Sequence, residues 1–259
     1  MKVGPHDRED VDFLMANAHE ARAQALTHFL HLDQPGGIWH YIRIANEIAA
    51  QVPPGKLLDW GCGFGQVTYL LRRRGFDVTP FEVGPEDKTL PDIPLCRDLN
   101  VVRTTHPTRL PFLSESFDVV LSCGVLEHVD EGSEPGNEML SLREITRVLR
   151  PRGYFPIYQL PQRYSWTEAL QRRLRLGYWH PRRFTAKEIR RLLSSNGYRI
   201  ERLRRYSLLP KNLTGMPEPM RAFYGRFGHA LIGADEALSR IPGLNQLAGV
   251  MEILARRAA

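Results

Sequence analysis

The stretch "LLDWGCGFGQ", residues 57–66, constrains the fold of this 259-residue chain more than any other. An apolar run ends on Asp59, and Gly61, Gly63 and Gly65 then stand at every second position. Glycine loses more backbone entropy on folding than other residues, so three at this density belong where φ is positive or where another group approaches the main chain. The loop follows a short apolar strand and precedes a helix starting near Gln66, so its amides and the helix N-terminus face whatever binds at the strand end. The pattern is G-x-G-x-G, with Gln66 where the dinucleotide fingerprint G-x-G-x-x-G needs its third glycine, and GxxxxGK[ST] is absent. A pyrophosphate reader and a P-loop are both disfavoured.

Elements on either side alternate in type. Residues 8–32 and 38–51 read as helices separated by the breaker Gln34-Pro35-Gly36-Gly37, and Pro53-Pro54-Gly55 stops the second. A strand (56–60), a helix (65–74) and a strand (76–82) follow, then a stretch without clear periodicity, then the strand "FDVVLS" at 117–122. A helix over 137–149 halts before Pro151 and Gly153, and a strand (154–160) comes next. The helix "TAKEIRRLLSSNG" has a Thr cap and a Gly stop, and strands at 198–206 and 250–256 complete the set. Strands linked by helices predict an α/β, doubly wound, mostly parallel sheet with its ligand beyond the strand carboxyl ends.

With 42% hydrophobic residues the chain can bury one sizeable core. Cys62, Cys96 and Cys123 show no CxxC spacing and no partnered histidine pair, so neither a disulfide framework nor a metal site is expected, and a reducing compartment fits. The N-terminus has no apolar signal segment, and no window approaches the roughly 20 apolar residues of a spanning helix; a soluble, cytoplasmic protein is expected.

The motifs resemble those of class I S-adenosylmethionine-dependent methyltransferases, particularly the small-molecule type 11/12 kind. "LLDWGCGFGQVTYLLRRRGFDVTPFEV" looks like their first two motifs, "RLPFLSESFDVVLSCGVLEHV" like their LPF…FDVV…LEHV stretch, and "EITRVLRPRGYFPI" like the helix-turn-strand after it. The resemblance spans about residues 40–205. It implies a seven-stranded Rossmann-like fold, an N-terminal helical segment (1–52), and a methyltransferase domain (53–259) with helical cap elements at about 161–184 and 207–245. It also implies S-adenosylmethionine as cofactor, with Asp59, Gly61, Gly63 and Gly65 forming the loop for its methionine part and Glu82 receiving the ribose hydroxyls. Family members usually carry an Asp four residues before LPF to bind the adenine amino group; here His106 stands there, followed by Pro107. A neutral histidine can accept from that amino group or stack on the ring, and backbone groups of Thr108 or Arg109 are the alternative readers.

A sulfonium methyl is transferred by in-line displacement, in which alignment supplies much of the rate and no metal is required. A hydroxyl acceptor must also lose a proton, and His128 is the candidate base, a helix-start histidine without chemistry being the other reading. Trp60 reads as a core aromatic, and Tyr158 and Tyr164 as weaker candidates for orienting an acceptor. A protein that binds the cofactor without transferring its methyl is the alternative function. From Arg150 to Lys211 there are 16 Lys or Arg against 3 acids, a charge of +13 in a chain of +6. Arginines there mix with Trp166, Tyr178 and Trp179, which suits an anionic acceptor with an apolar or sugar portion, such as a lipid-linked glycan at an anionic membrane. Arg182 and Arg183 are the expected substrate contacts. No RNA-binding module is recognised, so nucleic acid is disfavoured.

Overall fold

Lys56–Trp60 (β1) is buried from Leu57 onward, the pattern of a central strand covered on both faces. The computed structural model describes residues 4, 6–26, 32, 34–131, 135–175, 179–210, 213 and 217–259. Two helices, α1 (Asp7–Ala23) and α2 (Pro35–Gln51), precede β1; α3 (Gln66–Arg72), β2 (Asp77–Val83), α4 (Pro94–Arg97), β3 (Val102–Thr104) and β4 (Phe117–Cys123) follow it. The remainder is α5 (Asn137–Val148), β5 (Leu149–Pro161), α6 (Trp166–Leu174), α7 (Ala186–Ser195), β6 (Tyr198–Tyr206), α8 (Glu218–Arg226), α9 (Gly228–Leu238) and β7 (Val250–Arg257). One sheet runs in the order β3-β2-β1-β4-β5-β7-β6. The first five strands pair parallel, and β7 lies antiparallel between β5 and β6.

Alternation along the strands assigns the two faces. Leu57, Val119 and Leu121 join a buried cluster with Leu14 of α1, Ile38 and Ile42 of α2 and Leu70 of α3. Leu58, Val120 and Phe155 point the other way, onto Leu142 and Ile145 of α5 and Ile189 and Leu193 of α7. A full capping box starts α7: the Glu188 amide donates to the Thr185 hydroxyl at 3.2 Å, and the Thr185 amide donates to the Glu188 carboxylate at 2.7 Å.

The mostly parallel, seven-stranded architecture is as expected, and the boundaries differ for local reasons. The first helix ends at Ala23, and residues 27–31 of the expected span lie outside the described residues. Pro35, read as a breaker, occupies the first turn of α2, where its missing N–H costs nothing. Gly36 lies where α9 crosses: a Cβ on Gly228 would come within 2.6 Å of its Cα. The featureless stretch after residue 82 holds β3 and α4, three and four residues long and too short to show a period. The fifth strand begins at Leu149 rather than 154, and its register with β4 shifts just after Leu149, which accommodates Pro151. The alternation of residues 250–256 located β7 but carried no information on its direction. Of the expected cap regions, 161–184 contains α6, and 207–245 contains α8 and α9, which pack on α2. The Trp166 indole N–H donates to the Leu208 carbonyl at 2.8 Å, joining the two regions. Tyr178 and Lys211 lie outside the described residues.

Candidate active site

The loop between β1 and α3 turns on three positive φ angles: +77° at Gly61, +54° at Gly63 and +85° at Gly65. Two of these glycines are also required by neighbouring side chains. A Cβ on Gly61 would fall within 2.5 Å of Val125, and one on Gly65 within 2.4 Å of Leu99. Gly63 is different, because a Cβ there would meet nothing within 4 Å. The amides of Gly61 and Cys62 donate to the Phe81 carbonyl at 2.9 Å, fastening the loop to the end of β2.

Asp59, at 1% exposure, accepts a 2.6 Å hydrogen bond from the Thr68 hydroxyl, so its carboxyl braces α3 from beneath the loop. Burial pushes its pKa up to about 6, with the charge of nearby Glu82 adding to the rise and the Thr68 hydroxyl opposing it. Glu82, near the end of β2, accepts from the Gly63 amide at 3.0 Å and from the Val83 amide at 3.1 Å. Its carboxylate thus stands over the open side of the loop. His106 is exposed, and its Nδ1 accepts from the Thr108 and Arg109 amides at 3.3 and 3.1 Å. A neutral ring with Nδ1 accepting carries its proton on Nε2, so this histidine presents a donor. The two amides named as alternative readers are thereby already engaged.

Beyond β4, Gly124 (φ +72°) turns the chain into "VLEHV". His128 follows, with Nδ1 2.9 Å from the Glu131 carboxylate and Nε2 3.9 Å from that of Glu127. Donation from Nδ1–H to Glu131 leaves the Nε2 lone pair as the basic site. A cleft of about 260 Å³ is lined by Trp60, Gly61, Phe81, Glu82, Pro107 and His128, with Val125 and Glu131 beside them. The fold therefore brings Gly61, Glu82 and His128 to one opening, with Gly63 and His106 in the adjoining loops. Trp60, read as core, is 3% exposed yet contributes to the wall. Tyr158 is buried and Tyr164 exposed, and neither lines this cleft.

Several residues here carried no sequence signal. Gln159 adopts φ +59°, at a register shift of β5, and its amide donates to Cys123 Sγ at 3.7 Å. Tyr41 of α2 hydrogen-bonds the side chains of Gln159 and Gln66, and burial pushes its hydroxyl up to about 12. Glu131 could have been found, since it stands three residues after His128 on the same turn.

Arg182 and Arg183 are engaged inside the protein. Arg182 makes a two-pronged pair with Glu138 of α5 and lies 4.1 Å over the Phe184 ring. Arg183 donates to the Arg163 carbonyl at 3.5 Å and stands 3.8 Å from Glu168. On α6, Arg172 and Arg173 are exposed, as is Arg175 just beyond it, and Trp166, Leu170 and Leu174 form an apolar stripe 39%, 46% and 53% exposed.

Comparison with known proteins agrees with this geometry. The sequence profile of a methyltransferase domain matches residues 58–157. An uncharacterized methyltransferase of Bacillus subtilis, YodH, is 29% identical over 188 residues, covering 71% of this chain and 75% of that one. One from Mycobacterium sp. (strain KMS) is 34% identical over 109 residues, 41% of this chain and 40% of its own. Among solved structures, 1,6-didemethyltoxoflavin-N1-methyltransferase of Burkholderia thailandensis, bound to 1,6-didemethyltoxoflavin and S-adenosylhomocysteine, shares the fold. Its TM-score is 0.52 at 18% identity, covering 100% of this chain and 92% of that one. Fold, loop and profile together resemble those of class I S-adenosylmethionine-dependent methyltransferases. The chain is similar to these proteins over the methyltransferase-domain match at residues 58–157, which supports a methyltransferase that uses S-adenosylmethionine as its cofactor.

Proposed function

We propose that the protein methylates a hydroxyl of a small or lipid-linked glycan acceptor with anionic and apolar portions, using His128 as general base. The observation that carries this reading is the His128–Glu131 pair, which opens into the same cleft as Glu82 and Gly61. The residues present suit the cofactor: Gly63 leaves open space, and the Glu82 carboxylate, with two amides bound, keeps lone pairs for two hydroxyls. When bound, S-adenosylmethionine supplies a methyl group on a sulfonium. Gly63 and Glu82 would hold the cofactor, Asp59 positions the loop through Thr68, and the His106 Nε2–H would be offered to the adenine as a donor. Nε2 of His128 takes the acceptor's proton, and Glu131 stabilises the imidazolium that results.

On the acceptor side, Arg182 and Arg183 fix the cap frame, and the exposed arginines of α6 and Arg175 face outward beside the Trp166–Leu170–Leu174 stripe. That mixture supports an acceptor presented at an anionic surface, reached peripherally, since no helix among the described residues is long and apolar enough to cross a membrane. The test supplies labelled S-adenosylmethionine with a soluble small-molecule pool in one arm and a lipid extract in the other. Label in the organic phase and a loss of about 100-fold in turnover for His128→Ala, with cofactor affinity kept, are expected. Less than a threefold loss would reduce His128 to a structural residue, and label only in the soluble arm would remove the lipid-linked acceptor.

A further inference from the structure

We propose that Glu127, His128 and His180 form a binding site for a divalent transition metal of the zinc type at the edge of the cleft. The two histidines stand 52 positions apart in sequence and arrive from different elements. His128 follows β4, and His180 lies beyond α6. Their rings face each other with centroids 5.4 Å apart and planes inclined at 48°. Glu127 is 2% exposed, and one donor atom from each of the three side chains lies within 4.8 Å of the other two. A histidine pair with a carboxylate is a donor set for zinc and its first-row neighbours.

The surroundings strengthen the assignment beyond the three donors. A metal-bound histidine characteristically gives its second ring nitrogen to a carboxylate, which fixes the tautomer and raises the basicity of the ligating nitrogen. Both histidines have this arrangement: His128 Nδ1 is 2.9 Å from Glu131, and His180 Nδ1 is 2.5 Å from Glu168. Glu168 is itself placed by the start of α6, where its amide donates to the capping Ser165 hydroxyl at 3.2 Å. With each Nδ1 directed to a glutamate, Nε2 is the ligating atom on both rings. Ligands about 2 Å from a tetrahedral ion stand about 3.3 Å apart, so modest side-chain rotations close the site. Sequence spacing offers no hint of it, because no HxxxH or CxxC pattern joins these residues.

Metal binding stands independently of the function proposed above; its consequence rests on that reading of His128 as the proton-accepting edge of the cleft. A cation there would occupy the Nε2 lone pair that the proposed function assigns as base, so metal-loaded protein would hold His128 as a ligand and lose its proton-accepting step. The experiment strips the full-length protein with chelator and titrates it with Zn²⁺ by calorimetry and with Co²⁺ by visible absorption. One equivalent with a dissociation constant in the micromolar range or below, and a tetrahedral Co²⁺ spectrum, are expected. His180→Ala and Glu127→Gln should each weaken Zn²⁺ binding by about 100-fold, and Glu168→Gln by about 10-fold, while S-adenosylhomocysteine affinity stays unchanged as the control for folding. Absence of saturable binding, or binding indifferent to His180→Ala and Glu127→Gln in variants that still take S-adenosylhomocysteine, would overturn the site. Cofactor binding and methyl transfer are read separately, so their failure would be recognised as failure of the proposed function.

Discussion

Gly61, Gly63 and Gly65 look equivalent in sequence, and the structure separates them. Gly61 and Gly65 exclude a side chain because Val125 and Leu99 already fill the space, whereas Gly63 faces open space. Gly61→Ala and Gly65→Ala should therefore each destabilise the protein by about 2 to 3 kcal/mol, from positive-φ strain and a clash, in urea unfolding. Gly63→Ala should cost only the strain, about 1 kcal/mol, yet reduce S-adenosylmethionine affinity at least tenfold. Equal stability losses at all three would contradict the distinction. Asp59 supplies a second test. Its folded-state pKa of about 6 lies above the usual carboxylate value, so folding is favoured while the group is protonated and this contribution fades as pH rises through 6. Ionised Asp59 then costs about 3 kcal/mol at pH 7, and Asp59→Asn should be more stable than the parent at pH 7 but not at pH 4. Urea midpoints that differ by the same amount at both pH values would refute the assigned cause. The acid and the glycines were legible as a candidate site because they break the local rules for a strand and a helix. Why each glycine is needed was not, since Val125 and Leu99 are distant in sequence.

At the scale of elements, the sequence located the strongly periodic helices and the buried strands, and missed β3 and α4 because such short pieces have no period. The direction of β7 was likewise invisible, because alternation is the same in parallel and antiparallel strands. Cap attachment shows a further limit: Arg182 reads in sequence as a cation beside aromatics, but in the fold it bridges to Glu138 of α5 and stacks on Phe184. The Glu138 pairing holds its guanidinium above the ordinary arginine pKa, as expected for a donor set committed to an internal partner. Arg182→Ala should lower stability by about 2 kcal/mol, or roughly 5 °C in Tm for a chain of this size, and loosen the segment after α6. Rapid hydrogen exchange confined to residues near α6 in this variant would support the bracing role. An unchanged Tm with a raised acceptor KM would instead return Arg182 to substrate contact.

Over the whole molecule, part of the +13 segment pairs with acids elsewhere in the chain. Arg204 reaches Glu47 and Glu236 as well as buried Glu252, Arg202 pairs with Glu47, and Arg150 with Asp118. Arg43 of α2 completes the network with Glu252 and Glu47, so β6, β7, α2 and α9 are bound electrostatically. Sequence composition displays the excess of charge but not these long-range partners; the arginines of α6 and Arg175 face outward beside apolar groups, and Lys187, Arg190 and Arg191 of α7 are exposed as well. The proposed cofactor site lies where the glycine loop after β1 meets Glu82 of β2. Calorimetric titration of S-adenosylmethionine into the parent protein and Glu82→Ala tests that assignment most directly. A loss of about 1.5 to 3 kcal/mol, 10- to 150-fold in affinity, is predicted from removing a charge-assisted partner of the ribose, with Tm little changed. Equal affinity in the two proteins would contradict the placement of the cofactor at this loop.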